Sequence, residues 1–187
     1  KAKIIDPTSA FHNTHKDILI DNGKIIEITG QIKADKNYKI IESKDLHVSK
    51  GWIDLKAHFC DPGHEYKETI DSGLNKAAKG GFTQVGILPS TQPVMDQKAS
   101  IDSLFRKASL NTTGIIAMGC LTKQMKGKEL AELYDMQKSG ATLFTDDRIS
   151  TDAAVLSNAL MYAQNFSGKI VVSLGNSSLS KNTQVNE

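Results

Sequence analysis

The sequence predicts an α/β chain: a small β module over residues 1–50, then strand–helix units over 51–187 that build a parallel sheet. Three observations carry this reading. Two β-branched runs, Asp17-Ile18-Leu19-Ile20 and Lys24-Ile25-Ile26-Glu27-Ile28, flank Asn22-Gly23, and Asn-Gly between apolar runs marks a hairpin because both turn residues accept positive φ. From Gly51 onward, short continuous apolar runs alternate with stretches at helical spacing, the rhythm of βα units. No Gly-x-Gly-x-x-Gly follows any of the strands, which counts against a dinucleotide-binding sheet and leaves a barrel or another open sheet.

In the module, Lys39-Ile40-Ile41 and the neighbourhood of His47-Val48 add two weaker strands. The second part opens with Trp52 to Phe59, apolar enough for a strand buried on both faces. Ile70, Leu74, Ala77 and Ala78 then share a helix face that Gly80-Gly81 ends. Phe82 to Leu88 is the second strand, and Asp96 is placed to cap a helix carrying Ile101, Leu104, Phe105 and Ala108. Ile115 to Met118 is the third strand, followed by a helix with Leu130, Leu133 and Tyr134 that ends near Gly140. Ala141 to Phe144 is the fourth strand, and Asp152 opens a helix with Val155, Leu156, Ala159, Leu160 and Ala163. Lys169 to Ser173 is the fifth, and the tail from Ser177 is polar without a pattern. About 137 residues hold these four to five units, whereas a closed eight-stranded barrel needs roughly 200. Such a half-barrel has open edges and an uncovered apolar interior, so either the chain continues past Glu187 or a partner covers the opening.

Composition narrows the function classes. With 23 Lys plus Arg against 21 Asp plus Glu, the net charge of +2 gives no electrostatic case for nucleic acid or an anionic membrane. No stretch of about 18 consecutive apolar residues exists to span a bilayer. The opening Lys1-Ala2-Lys3-Ile4-Ile5-Asp6 lacks the apolar core of a secretory signal. Cys60 and Cys120 make no disulfide framework and suit a reducing compartment, so the expected location is the cytoplasm. No Gly-x-Ser-x-Gly, Cys-x-x-Cys or His-Glu-x-x-His occurs, and His12, His15, His47 and His64 have no partner at ligand spacing.

The candidate site lies at the C-terminal strand ends, where side chains of a barrel enter its mouth. Lys56 and His58 are two apart, so on a strand they leave the same face. Two imidazoles so placed form one jaw of a divalent-metal site, but the Lys56 ammonium offers no lone pair. Cys60 shares their parity, though a histidine at a strand end is commonly structural. Ser90 sits in the proline-braced loop after the second strand, which reads equally as a plain turn. Asp146 and Asp147 follow the fourth strand, and on spacing alone they fit a metal-facing acid or a helix-entry turn. The fifth strand end, Val172 to Asn176, holds no ionisable group.

These segments together resemble the N-terminal part of a dihydroorotase of the long bacterial type, in the amidohydrolase superfamily. The resemblance is carried by Gly51-Trp52-Ile53-Asp54-Leu55, by Asp61-Pro62-Gly63 followed by Glu65-Tyr66-Lys67-Glu68-Thr69, and by Gly80-Gly81-Phe82-Thr83 and Leu88-Pro89-Ser90-Thr91-Gln92-Pro93. It implies a β-sandwich module over 1–50 and, over 51–187, the first half of a metal-dependent-hydrolase (β/α)₈ barrel, incomplete at the C-terminus. It further implies zinc-activated water hydrolysing or forming the cyclic amide of dihydroorotate in pyrimidine synthesis. Carried over position by position, the family's two metal histidines fall on Lys56 and His58, its substrate arginine on Cys60 and its substrate asparagine on Ser90. Its acidic ligand falls on Asp146 or Asp147, with Arg148 where glycine is usual, and its next metal histidine aligns near Leu174. His58 and Asp146 are thus the vestigial metal residues, and Lys56, Cys60, Ser90 and Leu174 the degenerate positions. The expectation is a catalytically inactive pseudoenzyme with no cofactor, its Lys56 ammonium in the metal's place and paired with Asp146 or Asp147. By family analogy, its partner is aspartate carbamoyltransferase, in a homo- or hetero-oligomer. The alternative is an active, zinc-dependent dihydroorotase.

Overall fold

Asn22 and Gly23 take φ of +47° and +74°, and the strands they join, β2 (His15–Asp21) and β3 (Lys24–Thr29), pair antiparallel from Asp21 and Lys24 inward. The computed structural model describes residues 1–33, 35–147, 149 and 151–172. It divides into two units, Lys1–Gly51 and Trp52–Glu187.

In the first unit a strand that the sequence pattern does not single out, β1 (Ala2–Ile5), sits inside the sheet. It pairs antiparallel with β2 and parallel with β4 (His47–Ser49), giving the order β3-β2-β1-β4. Ala2 and Ile4, its inward positions, are the buried apolar residues of this unit. Lys39-Ile40-Ile41 is not a strand: no neighbour offers it a ladder, and Ile40 and Ile41 stay exposed.

The second unit is a five-stranded parallel sheet in chain order, with helices between the strands. Its strands are β5 (Trp52–Ala57), β6 (Phe82–Ile87), β7 (Gly114–Gly119), β8 (Leu143–Phe144) and β9 (Lys169–Ile170). The helices are α1 (Ile70–Lys79), α2 (Lys98–Ala108), α3 (Leu133–Lys138) and α4 (Ala153–Gln164). Sequential parallel neighbours are what short right-handed βα crossovers build. Val85 and Ile87 of β6, Ala117 of β7 and Phe144 of β8 form the core with Ile70, Leu74, Ile101, Leu104, Leu133 and Met136 of the helices. Thr69 caps α1 by accepting from Ser72 N at 3.1 Å, and Asp152 caps α4 as expected, accepting from Ala154 N at 2.8 Å. No helix among the described residues is long and apolar enough to cross a membrane.

Three local expectations are corrected. Asp96 does not cap α2, which starts after Gln97; its Oδ2 accepts from Gln124 N at 2.9 Å instead. Leu130 lies outside α3 and bridges Thr122, because the loop after β7 folds back on itself before the helix begins. β5 is not buried on both faces: it is an end strand, and Trp52, Ile53 and Leu55 are exposed.

Candidate functional site at the C-terminal strand ends

The end of β5 is fixed from below and from the side. Phe59 packs over Gly73 of α1 so closely that a Cβ there would lie 2.6 Å from the ring, so glycine is what lets the strand end reach the helix. Asp61 is buried; its Oδ2 accepts from Ile70 N at 3.0 Å and its Oδ1 pairs with Lys107 of α2. One carboxylate thus ties the Asp61-Pro62-Gly63 turn to two helices.

Above this anchor the five candidate groups converge. Lys56 Nζ lies 3.1 Å from Asp147 Oδ1. This is an ion-pair contact without hydrogen-bond alignment, since the buried Oδ1 accepts no hydrogen bond. Ser90 Oγ donates to the other oxygen of Asp147 at 3.2 Å. His58 Nε2 is 2.8 Å from the Ser90 carbonyl, an oxygen that only accepts, so Nε2 carries a proton and donates it there. Its Nδ1 faces Cys60 Sγ at 3.1 Å, and Cys60 reaches it from a left-handed backbone position, φ +64°.

Asp146, the residue expected to serve the metal, faces the other way. It is buried, its Oδ1 accepts from Leu121 N at 3.0 Å and Thr122 N at 2.9 Å, and its Oδ2 accepts from Thr122 Oγ1. Thr122 Oγ1 in turn accepts from Gly127 N at 2.8 Å. Asp146 therefore braces the loop after β7, and Asp147, φ +52°, turns its carboxylate to Lys56. Thr145 supports that turn by accepting from Asp147 N at 3.0 Å. Leu174 and Arg148 lie outside the described residues. Sequence reasoning missed Asp61, Thr122 and Thr145 as supports; Asp61 carried a signal, an acid ahead of a Pro-Gly turn and a helix start.

The donors that the described residues bring to the mouth fall short of the three or four nitrogen, sulfur or oxygen ligands that zinc takes. Lys56 brings a positive charge, Asp147 is paired to it, and Asp146 is committed to backbone donors. No three His, Cys, Asp or Glu side chains among the described residues converge as a metal requires.

The two thiols differ sharply. Cys120 has no exposure, and burial pushes its thiol far above the ordinary value, with the Asp146 carboxylate adding to the rise. Cys60 is half-buried at the mouth. An aromatic disulfide reagent at mildly alkaline pH is expected to titrate Cys60 alone in the native protein and Cys120 only after unfolding. Equal rates for both would show that the packing over Cys120 opens readily.

The family model described as dihydro-orotase-like matches residues 47–187. The dihydroorotase of Geobacter metallireducens is 36% identical over 173 residues, covering 91% of this chain and 40% of that protein. The dihydroorotase of Aquifex aeolicus is 37% identical over 162 residues, covering 86% of this chain and 38% of its own length. The chain thus spans about two fifths of the curated relatives it matches. Among solved structures, the L-hydantoinase (dihydropyrimidinase) from Arthrobacter aurescens superposes with a TM-score of 0.67 at 20% identity. The match covers 89% of this chain and 38% of that one. At that identity the likeness is one of fold: the parallel sheet and its helices match about two fifths of that chain.

Proposed function

This chain belongs to the dihydro-orotase-like family, and from that premise we propose that it is the N-terminal part of a dihydroorotase-like protein of pyrimidine biosynthesis that no longer catalyses. The observation that carries the reading is the Lys56–Asp147 pair at 3.1 Å: a cation stands on the strand position where the family places a metal-binding imidazole, and it is matched by a carboxylate from the fourth strand end. Cys60 and Ser90 stand where the family places its substrate arginine and asparagine, and neither offers the bidentate, always-charged grip of a guanidinium on a carboxylate. Binding of the reacting ring and activation of water are thus weakened together.

A protein kept for its fold and surfaces then acts through assembly, and the partner proposed by family analogy is aspartate carbamoyltransferase. The test uses the longest natural form of the protein, purified without chelator. The expected result is less than about a tenth of an equivalent of zinc, no turnover of dihydroorotate or carbamoyl aspartate above buffer, and co-elution with aspartate carbamoyltransferase at micromolar concentration. Near-stoichiometric zinc with turnover would replace this reading by an active cyclic amidohydrolase; independent elution of the two proteins would remove the partner.

A further inference from the structure

The mouth holds one reactive pair that neither the Lys56–Asp147 contact nor the buried braces use. Cys60 Sγ and His58 Nδ1 are 3.1 Å apart, a contact that needs one proton between sulfur and nitrogen. The far side of the ring is engaged as well, Nε2 donating to the Ser90 carbonyl at 2.8 Å. A nucleophile within reach of a base, the base oriented in turn by a third group, is the arrangement that activates a thiol. Cys120 lacks it: that residue has no exposure, and its sulfur meets the Pro89 carbonyl at 3.9 Å rather than a base.

The contact does no holding that the fold needs. It joins residues two apart, whereas the strand end is already tied to α1 and α2 through Asp61. Both partners are nonetheless fixed. The Cys60 carbonyl accepts from His64 N at 2.8 Å, and the loop that presents the Ser90 carbonyl is tied to the neighbouring turn by Gln92 N, which donates to the Pro62 carbonyl at 3.0 Å. Cys60 also occupies the left-handed region, φ +64°, a conformation that gathers where side chains are aimed for function. The sulfur is half-buried and the imidazole exposed, so a small molecule reaches both. Across Ser90, Lys56 and Asp147 compensate each other and leave no unbalanced charge to draw in an ion.

We propose that Cys60 is a covalent modification site for small uncharged α,β-unsaturated carbonyl compounds, with His58 receiving its proton and the Ser90 carbonyl positioning the ring. The sulfur bonds to the β-carbon, the π pair of the C=C bond moves to the α-carbon, and the thiol proton passes through His58 Nδ1 to that α-carbon. One S–H bond and one π bond break, one S–C and one C–H bond form, and no oxidant, leaving group or second reactant is required. The site rests on the Cys60–His58–Ser90 geometry and not on the loss of catalysis.

The test uses the longest natural form of the protein at neutral pH, with N-ethylmaleimide as the probe and peptide mass spectrometry as the readout. Expected are an adduct on Cys60, none on Cys120, and a rate at least about tenfold above that of N-acetylcysteinamide, the low end of what a positioned base contributes. His58→Gln keeps a donor for the Ser90 carbonyl and removes the proton acceptor, and its rate is expected to fall to within about twofold of the free thiol. Circular dichroism shows whether that variant folds. The wild-type chain in urea gives a comparison that needs no variant, because the advantage over the free thiol disappears there. 3-Maleimidopropionate, the same reactive group with a carboxylate, gains nothing over N-ethylmaleimide; a tenfold preference for it would overturn the uncharged class. A native Cys60 no faster than the free thiol overturns the proposal, as does His58→Gln reacting as fast as wild type. Zinc and turnover are read on the same sample: a slow Cys60 overturns this site whatever zinc is found, and zinc with turnover overturns only the reading of a silent mouth.

Discussion

Asp146→Ala is expected to lower the unfolding free energy of the barrel unit by about 3–5 kcal/mol, the range for removing one side of a buried charged network. The carboxylate answers three donors at once: two backbone amides and the Thr122 hydroxyl, all buried. Without it the buried Thr122 amide has no acceptor, the Leu121 amide keeps only its longer bond to the Thr145 carbonyl at 3.3 Å, and the loop after β7 loses its brace. Asp147→Ala is the contrast. Its partner Lys56 is 56% exposed, and screened pairs of that kind contribute roughly 0–1 kcal/mol. Urea unfolding followed by far-ultraviolet circular dichroism measures both. A loss for Asp146→Ala no greater than that for Asp147→Ala would mean that the two carboxylates have been assigned to the wrong sides.

Lys56→His is expected to raise zinc affinity by at least about 30-fold. A dication 4 Å from an ammonium is repelled by roughly 8 kcal/mol at an effective dielectric of 20, and by about 2 kcal/mol if water screens the pair fully. The exposure of Lys56 puts the solvent-screened end of that range in force; at 1.4 kcal/mol per decade, it alone is worth about 30-fold. The substitution also adds an imidazole at the end of β5, two residues from His58, and frees Asp147. Competition against a chromophoric zinc chelator reads the change. Lys56→Met, which removes the charge and adds no nitrogen ligand, separates the two contributions. Equal zinc affinity in wild type and Lys56→His would sink the account of a mouth closed to metal by its own cation.

The hairpin of the first unit and the helices and strands of the second were legible because their signals are local. Asn22-Gly23 specifies its turn by φ, Asp152 its helix by a cap, and the apolar spacing of Ile101, Leu104 and Ala108 its buried face. β1 was illegible for the opposite reason: four residues with a single alternation become a strand only when β2 and β4 close on both sides. Lys39-Ile40-Ile41 has the right composition and no neighbour. Asp96 had cap chemistry in a cap position, yet the folded-back loop after β7 offered Gln124 N, and a long-range donor took the carboxylate.

At the mouth, sequence alone determined the chemistry available: an ammonium, an imidazole, a thiol, a hydroxyl and two adjacent acids. It also set Lys56 and His58 two residues apart at the end of one strand. Which acid meets Lys56 was decided only in three dimensions. Neighbouring residues diverge, so one of the pair had to enter the structure and the other the mouth. The choice fell to the buried amides of Leu121 and Thr122: Asp146 is the acceptor of the Thr122 amide and the nearer of two acceptors of the Leu121 amide. Those amides lie 24 and 25 residues away along the chain, a separation that no local pattern encodes and that the β7–β8 pairing closes.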